Sequence, residues 1–386
     1  MKKIGLLLPR STYYNSIGFD LHEGFKQGLL TFDADDVDII SENIGFGTDS
    51  QVCYNVAEKL LLSGEVDIII AYISHKTAQL LRPLFKATNK ILLVLDGGAN
   101  LPQEWPKSSN TIYHSLHNSL GNYMATGMAA RQDLVNAATV TGYYDGGYLQ
   151  YHAGFLGYLN AGGSILYNHS TSYKREDFTL QGLKNWLDAG NSVDCLLSLF
   201  SGDFIQWYFE ELLERFAPNE LTVVLPPFGL EETVLADAPY PVQNICGLAS
   251  WSRKLKSSEN EAFISKMESV GKSPNLFSLL GYEASFLVKP ILELMSQSKQ
   301  NGKEVCKALM ELEFQTPRGK LVFDKETQTS ISALYEARII GDMKGMCELE
   351  IIGKIGLDRT MEAYRQMVSL PLNNATSGWV NSYTCI

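Results

Sequence analysis

The sequence predicts an α/β protein built as two doubly wound, Rossmann-like lobes, and three observations carry that prediction. Over the first hundred residues, short continuous apolar runs alternate with helical stripes. After a polar stretch, Leu101 to Asn110, the same alternation begins again. The elements around and beyond Ala284 are too few for a third domain, so they are expected to return and complete the two sheets already begun. At ~150 residues per domain, 386 residues fit two domains or three.

Taken in order, Lys3 to Leu8 is a nearly continuous apolar run, as expected of a parallel strand buried on both faces. Leu21, Phe25 and Leu29 recur at i, i+4, i+8, a helical stripe. Val37 to Ile40 reads as a strand, and Val52, Val56 and Leu60 as a second helix. Val66 to Ile73, with four isoleucines, is the most strand-like segment of the chain. Thr77 to Ala87 is helical and Ile91 to Leu95 is another buried strand. Repeated β-α-β-α requires right-handed crossovers and a parallel sheet. In the second half, Leu116 to Arg131 and Tyr148 to Leu159 read as helices. Ala137 to Tyr143, Ser164 to Tyr167, Val193 to Phe200, Leu221 to Leu225 and Val242 to Leu248 read as strands. Ile205, Phe209, Leu212, Leu213 and Phe216 form an amphipathic helix between them. A long helix through Ala284, Leu287, Val288, Ile291 and Leu292 precedes a turn and strand, Thr316 to Asp324.

Composition removes several functional classes. Hydrophobic residues make up 45 % and charged ones 19 %, which excludes disorder and collagen. The net charge of −11, without a basic run, argues against nucleic acid and anionic membranes as partners, since both need clustered Lys and Arg. The longest apolar runs, such as Ile68 to Ala71, fall far below the ~18 residues of a membrane helix. Six cysteines in a chain of this length, with no C-x-x-C, are neither a disulfide framework nor a zinc ribbon. The apolar stretch after Lys2-Lys3 ends at Pro9-Arg10, too short for a signal peptide. Either the chain is the mature form of an exported protein, with a periplasmic location, or Met1 is its native start and it is cytoplasmic.

Catalytic and cofactor motifs are absent from the sequence. There is no Walker loop, no G-x-S-x-G elbow and no H-E-x-x-H. Gly45-Phe46-Gly47 lacks a third glycine at Ser50, and Asp49 or Ser50 reads as a helix N-cap. His114 and His117 could share a metal at i, i+3, but no carboxylate or cysteine neighbours them, and they read as exposed linker histidines. No enzyme activity, cofactor or metal is expected. What remains is a set of polar and aromatic loops after strands, where doubly wound sheets bind ligands. These are Arg10 to Tyr14, Ser74 to Lys76, Asp96 to Asn100, Tyr143 to Tyr148, Phe200 to Phe204 and Pro226 to Phe228. Hydroxyls, backbone N–H groups beside glycines, and tyrosines suit a small polar molecule with an apolar part.

Read in order, several segments resemble the type I periplasmic binding proteins, in the branch that binds branched-chain amino acids. They are Ile4-Gly5-Leu6-Leu7-Leu8-Pro9, the spaced Gly18, Gly24 and Gly28, Ile70 to Ser74, Gly97-Gly98-Ala99, Asp145-Gly146-Gly147-Tyr148, Gly281-Tyr282-Glu283-Ala284 and Gly319 to Asp324. The resemblance implies two lobes joined by three hinge crossovers, near His117, Ala249 and Phe323 to Lys325, that close on a ligand. The implied lobes are 1–117 plus 250–324 and 118–249 plus 325–386, with the cleft between them. The implied ligand-binding residues are Arg10, Tyr13, Tyr14, Ser74, His75, Gly97, Gly98, Ala99, Tyr144, Asp145, Ser201, Asp203, Phe228 and Tyr282.

This chain departs from the amino-acid binders at two points. The hydroxyl of the small-residue turn is missing at Ala99, and no acid follows Pro227-Phe228 until Glu231, leaving Asp145 or Asp203 as substitutes for an ammonium partner. A buried unpaired ammonium is costly, so the implied ligand extends to an amide, a short peptide or an aromatic acid. The resemblance implies a solute-binding protein that serves an ABC transporter permease without entering the membrane. A cytoplasmic ligand-sensing regulator on the same scaffold is the alternative. With these lobes, Cys53 and Cys306 share the first and Cys195, Cys246, Cys347 and Cys385 the second, which permits disulfides within each lobe and so an oxidising location; unpaired buried cysteines are the alternative. The tail beyond Ser369, with Pro371, Asn373-Asn374 and Gly378-Trp379, lies past every matched motif.

Overall fold

The computed structural model describes residues 2–32, 37–102, 105, 109–297, 301–370, 377 and 379–384. They divide into two compact units, each assembled from separate stretches of chain: 1–116, 256–332 and 380–386 in the first, 117–255 and 333–379 in the second. The passages thus fall after Leu116, Leu255 and Ser332, where the sequence pointed to 117, 249 and 324, and a fourth after Trp379 brings the last residues back to the first unit. Both strands flanking residue 324 belong to the first sheet, which moves the third passage to Ser332.

The chain begins β1 (Lys2–Leu8), α1 (Ile17–Leu30), β2 (Val37–Asn43), α2 (Ser50–Leu62), β3 (Ile68–Tyr72), α3 (His75–Thr88), β4 (Ile91–Asp96) and β5 (Thr111–Ser115). The second unit follows with α4 (Asn118–Arg131), β6 (Asn136–Thr141), α5 (Gln150–Asn160), β7 (Ser164–Ser170), α6 (Gln181–Asp188), β8 (Cys195–Leu199), α7 (Phe204–Arg215), β9 (Thr222–Leu225), α8 (Glu232–Leu235) and β10 (Asn244–Ala249). The chain returns to the first unit with α9 (Ser258–Ser269), α10 (Leu276–Gln297), α11 (Gly302–Leu309), β11 (Phe314–Thr316), β12 (Gly319–Asp324) and β13 (Thr329–Ser332). It ends in the second with β14 (Leu334–Gly341), β15 (Cys347–Ile355) and α12 (Leu357–Val368).

The first sheet has the order β11-β12-β13-β5-β4-β3-β1-β2, and the second β15-β14-β10-β9-β8-β6-β7. The strands β1 to β5 are parallel, as are β6 to β10; the returning segments complete both sheets, as expected, and every antiparallel pair among the described residues involves one of their strands. Every residue of β3 and β4 is buried, which is why their sequences are apolar without alternation. On one face, Cys53, Ala57 and Leu60 of α2 and Leu81 and Phe85 of α3 share a core with Ile69, Ala71, Leu92 and Val94. Elsewhere in this unit α1 packs against α10 at backbone distance. A Cβ at Gly24 would sit 2.0 Å from the Ser278 carbonyl oxygen, and one at Gly281 2.1 Å from that of Leu21. Among the described residues no helix is long and apolar enough to cross a membrane.

The returning segments of the first unit are pinned by a buried charge cluster. Arg318, in the turn between β11 and β12, places Nη2 2.7 Å and Nε 2.9 Å from Glu283 Oε2 on α10. His114 Nε2 on β5 lies 3.2 Å from the same oxygen, and its Nδ1 is 2.8 Å from Ser330 Oγ on β13. Burial alone would raise the Glu283 carboxyl, but the guanidinium and the imidazole hold it down at about 2. Burial keeps His114 below its ordinary value despite that carboxylate. His114 and His117 are therefore not exposed linker residues. Both are buried, and His117 adopts φ 56° at the start of α4, its ring 5.3 Å from that of Tyr364.

Two stability predictions follow from buried carboxylates. Glu283→Gln strands the Arg318 guanidinium and should lower unfolding free energy by about 3–5 kcal/mol in urea titrations. The Glu283 carboxyl is depressed on folding, so its contribution is present above pH 4.5 and fades as pH falls toward 2. The variant should show a correspondingly flatter acid limb, and a change below ~1 kcal/mol contradicts the cluster's role. Glu231 behaves oppositely: its fully buried carboxyl is pushed up to about 7 by burial. Its contribution is complete below pH 4.5 and is lost as pH rises through 7. Glu231→Gln should therefore match the wild type at pH 4.5 and exceed it at pH 8, by up to about 3 kcal/mol. Equal pH slopes for the two proteins would contradict this.

Candidate functional site

Neighbouring parallel strands end nearly level, with Leu7 opposite Ala71 and Tyr72 opposite Leu95, so the loops after them gather along one edge of the sheet. In the first unit, Ser11 Oγ accepts the N–H groups of Tyr13 and Tyr14 at 2.9 Å and fixes the loop after β1. The Tyr14 ring packs edge-on to Tyr13 and Phe277 with centroids 5.1 and 5.0 Å away. The Arg10 guanidinium covers the Phe46 ring at 4.6 Å. Ser74 is the N-cap of α3 and accepts the Thr77 N–H. That cap sets His75 in the first turn, with Nε2 3.1 Å from Oδ2 of Asp96, the last residue of β4. Gly97, Gly98 (φ 78°) and the fully buried Ala99 continue from Asp96.

Tyr282 is not part of this edge. Its ring packs on Phe263 and Phe286, and its hydroxyl is 3.3 Å from Thr31 Oγ1 beyond the end of α1. Phe277 faces Tyr14 and Tyr72 instead; five residues along a helix turn a side chain by about 140°, so the two positions cannot share a face.

In the second unit the strand-end loops are joined by a buried hydrogen-bonded chain. Asn118 of α4 accepts the Phe228 N–H at 3.0 Å through Oδ1 and donates through Nδ2 to Gln150 Oε1. Gln150 donates to Asp145 Oδ1 at 2.9 Å, and Ser201 Oγ lies 2.8 and 2.9 Å from the two Asp145 oxygens. The loops after β6, β8 and β9 are thereby held in one arrangement. Asp145 is buried within this chain, whereas Asp203 is exposed at the start of α7. Glu231 is the N-cap of α8, accepting the N–H groups of Thr233 and Val234. Tyr144 stands among the rings of Tyr143, Phe204 and Trp379, 5.3 to 5.7 Å away. At the ends of β6 and β7 a pocket of about 600 Å³ is lined by Thr139, Thr141, Tyr143, Tyr151, Asn168, His169 and Trp379, among others.

The structure therefore brings together Arg10, Tyr13, Tyr14, Ser74, His75 and Gly97 to Ala99 in one unit, and Tyr144, Asp145, Ser201 and Phe228 in the other. Sequence reasoning missed Asn118, Gln150, Phe277 and the β6–β7 pocket. Asn118 sits on a helix buried on most sides, where no amphipathic contrast marks a polar residue as special, and Gln150 opens the buried stripe of α5 that continues through Ala153, Gly154 and Gly157. Among the described residues no group of three His, Cys, Asp or Glu could hold a metal ion. Cys53 and Cys306 are free, with thiols pushed up by burial to about 11 and about 12, so no disulfide joins them; Cys385, Pro371, Asn373, Asn374 and Gly378 lie outside the described residues.

A family model described as periplasmic binding protein matches residues 2–344. No curated protein matches the chain. Among solved structures, an ABC transporter substrate-binding protein from Sphaerobacter thermophilus is similar at 17 % identity, over 92 % of this chain and 98 % of that one, with a TM-score of 0.78. A solute-binding protein of an ABC transporter from Rhodopseudomonas palustris BisB5, in complex with 3,4-dihydroxybenzoic acid, is 15 % identical over 92 % and 97 %, with a TM-score of 0.72. An ABC-type branched-chain amino acid transporter protein from Rhodopseudomonas palustris CGA009 is 17 % identical over 93 % and 98 %, with a TM-score of 0.70. At such identities the likeness is one of fold. The family match spans most of the chain and agrees with the two doubly wound sheets: this chain belongs to the periplasmic binding protein family.

Proposed function

We propose that this protein is an exported solute-binding protein that captures a small aromatic acid on its strand-end loops and delivers it to the permease of an ABC importer. The observation that carries the reading is the gathering of rings, hydroxyls and glycine-flanked backbone at the strand ends of both units. A pocket of about 600 Å³ walled by Tyr143, Tyr151 and Trp379 has the size and faces for one aromatic ring. An amino acid fits less well, because Asp145 and Glu231 are already engaged by internal donors, which leaves an ammonium only Asp203, exposed at the start of α7. Relatives of the same fold were solved with 3,4-dihydroxybenzoic acid and with benzoate, which supports the choice. Binding without bond chemistry is all the role requires.

Thermal melting of ligand-stripped protein tests this against benzoate, 4-hydroxybenzoate, branched-chain amino acids, amides and dipeptides. A solute at 100 times its Kd adds about 2.7 kcal/mol to the native state. That is a rise of several degrees, at roughly 2–4 °C per kcal/mol. The proposal predicts this rise with the benzoates. A rise confined to amino acids overturns the aromatic-acid assignment, and no rise across the panel overturns small-solute binding.

A further inference from the structure

The loops assigned above to solute are already in contact with a segment of the chain's own C-terminal region. In the first unit, Ser11 Oγ donates to the Tyr383 carbonyl and the Tyr72 hydroxyl to the Ser382 carbonyl, both at 2.9 Å. Asn381 Nδ2 donates to the carbonyls of Phe46 and Tyr72 at 3.3 Å, and Ser382 Oγ is 3.5 Å from Asp96 Oδ1. The Tyr383 ring is fully buried, edge-on to Tyr14 at 5.8 Å. Two loop glycines make the room: a Cβ at Gly97 would lie 2.9 Å from the Tyr383 ring, and one at Gly47 2.5 Å from Asn381 Nδ2. Tyr383 itself holds φ 59°, a left-handed conformation that a bulky residue keeps only where its surroundings fix it.

The second unit repeats the pattern with the residues just before. Ser377 Oγ donates to the Gly147 carbonyl at 2.9 Å. The Trp379 ring packs on Tyr143 and Tyr144, and a Cβ at Gly147 would lie 1.9 Å from its Nε1. Two carbonyls read by hydroxyls, a side-chain amide and a ring in a glycine-floored slot are the contacts by which such loops would hold a free peptide.

We propose that residues 380–384 are a tethered peptide ligand of the first unit's strand-end loops, and that a free ligand binds there by displacing them. The consequence for solute uptake rests on the function proposed above; the tethered contact itself does not. A ligand carried on the same chain competes at an effective concentration on the order of millimolar. Apparent affinity for any free competitor falls by the fraction of molecules whose loops are vacant.

The test uses the full chain, its Asn381→Ala/Tyr383→Ala variant, and a synthetic octapeptide of residues 377–384, with calorimetric titration as readout. The peptide should bind the double variant at least about tenfold more tightly than the wild type, because the variant's own segment competes weakly. Equal affinity for both proteins, or binding to neither, overturns the proposal. Amide hydrogen exchange on the wild type keeps the proposal testable if the variant does not fold. Residues 380–384 should be protected, and saturating octapeptide should raise their exchange. Exchange at unstructured rates without peptide, or unchanged protection at saturation, also overturns it. If the benzoates fail to bind while the peptide competes, the aromatic-acid function falls and the tethered ligand stands.

Discussion

Glu283 is a fully buried carboxylate, and the way the first unit accommodates it fixes how the chain is threaded. Its partners come from distant stretches: His114 from the first pass through the unit, Arg318 from the return. Such a cluster adds little net stability over an apolar one, but a misplaced segment would leave a bare charge in the interior. We read it as the device that makes β11 to β13 dock beside β5 in one register, with Ser330 bonded to the His114 ring as the second tie. That docking covers β5, which would otherwise be the edge of the sheet beside β4, the strand that leads into Gly97.

The second unit solves the same problem with neutral groups. Asn118 and Gln150 pass hydrogen bonds from the loop after β9 to the carboxylate of Asp145 in the loop after β6, and Ser201 completes it from the loop after β8. Loops tied this way have little freedom left to lose when a ligand arrives, which favours binding. The exposed rings beside them, Tyr143 above all, remain to make new contacts.

Much of this was legible in the sequence, and the misses have physical reasons. Buried parallel strands announce themselves as apolar runs, so Ile68 to Tyr72 and Ile91 to Asp96 were readable, and the small-residue turn at Gly97 followed. β5 was not, because Thr111-Ile112-Tyr113-His114-Ser115 carries polar side chains whose partners, Glu283 and Ser330, lie far along the chain. β14 and β15 were missed as well, their exposed positions carrying charges such as Arg338 and Glu350 that blur the strand pattern. Tyr282 matched a family motif, yet its place in the pattern reflects helix packing between α1 and α10. Nothing in a linear reading could show that Asn381 to Tyr383 fold back onto loops that precede them by some three hundred residues.

The central claim is that solute binds at strand-end loops. Photolabelling with 4-azidobenzoate, followed by peptide mapping, tests it most directly. The account predicts labelled residues within 10–14, 72–77, 96–100, 142–151 or 201–204, with labelling suppressed by benzoate. Label confined to other surfaces, such as the groove lined by Tyr123, Arg131, Arg359 and Gln366, or label that benzoate does not suppress, would contradict it.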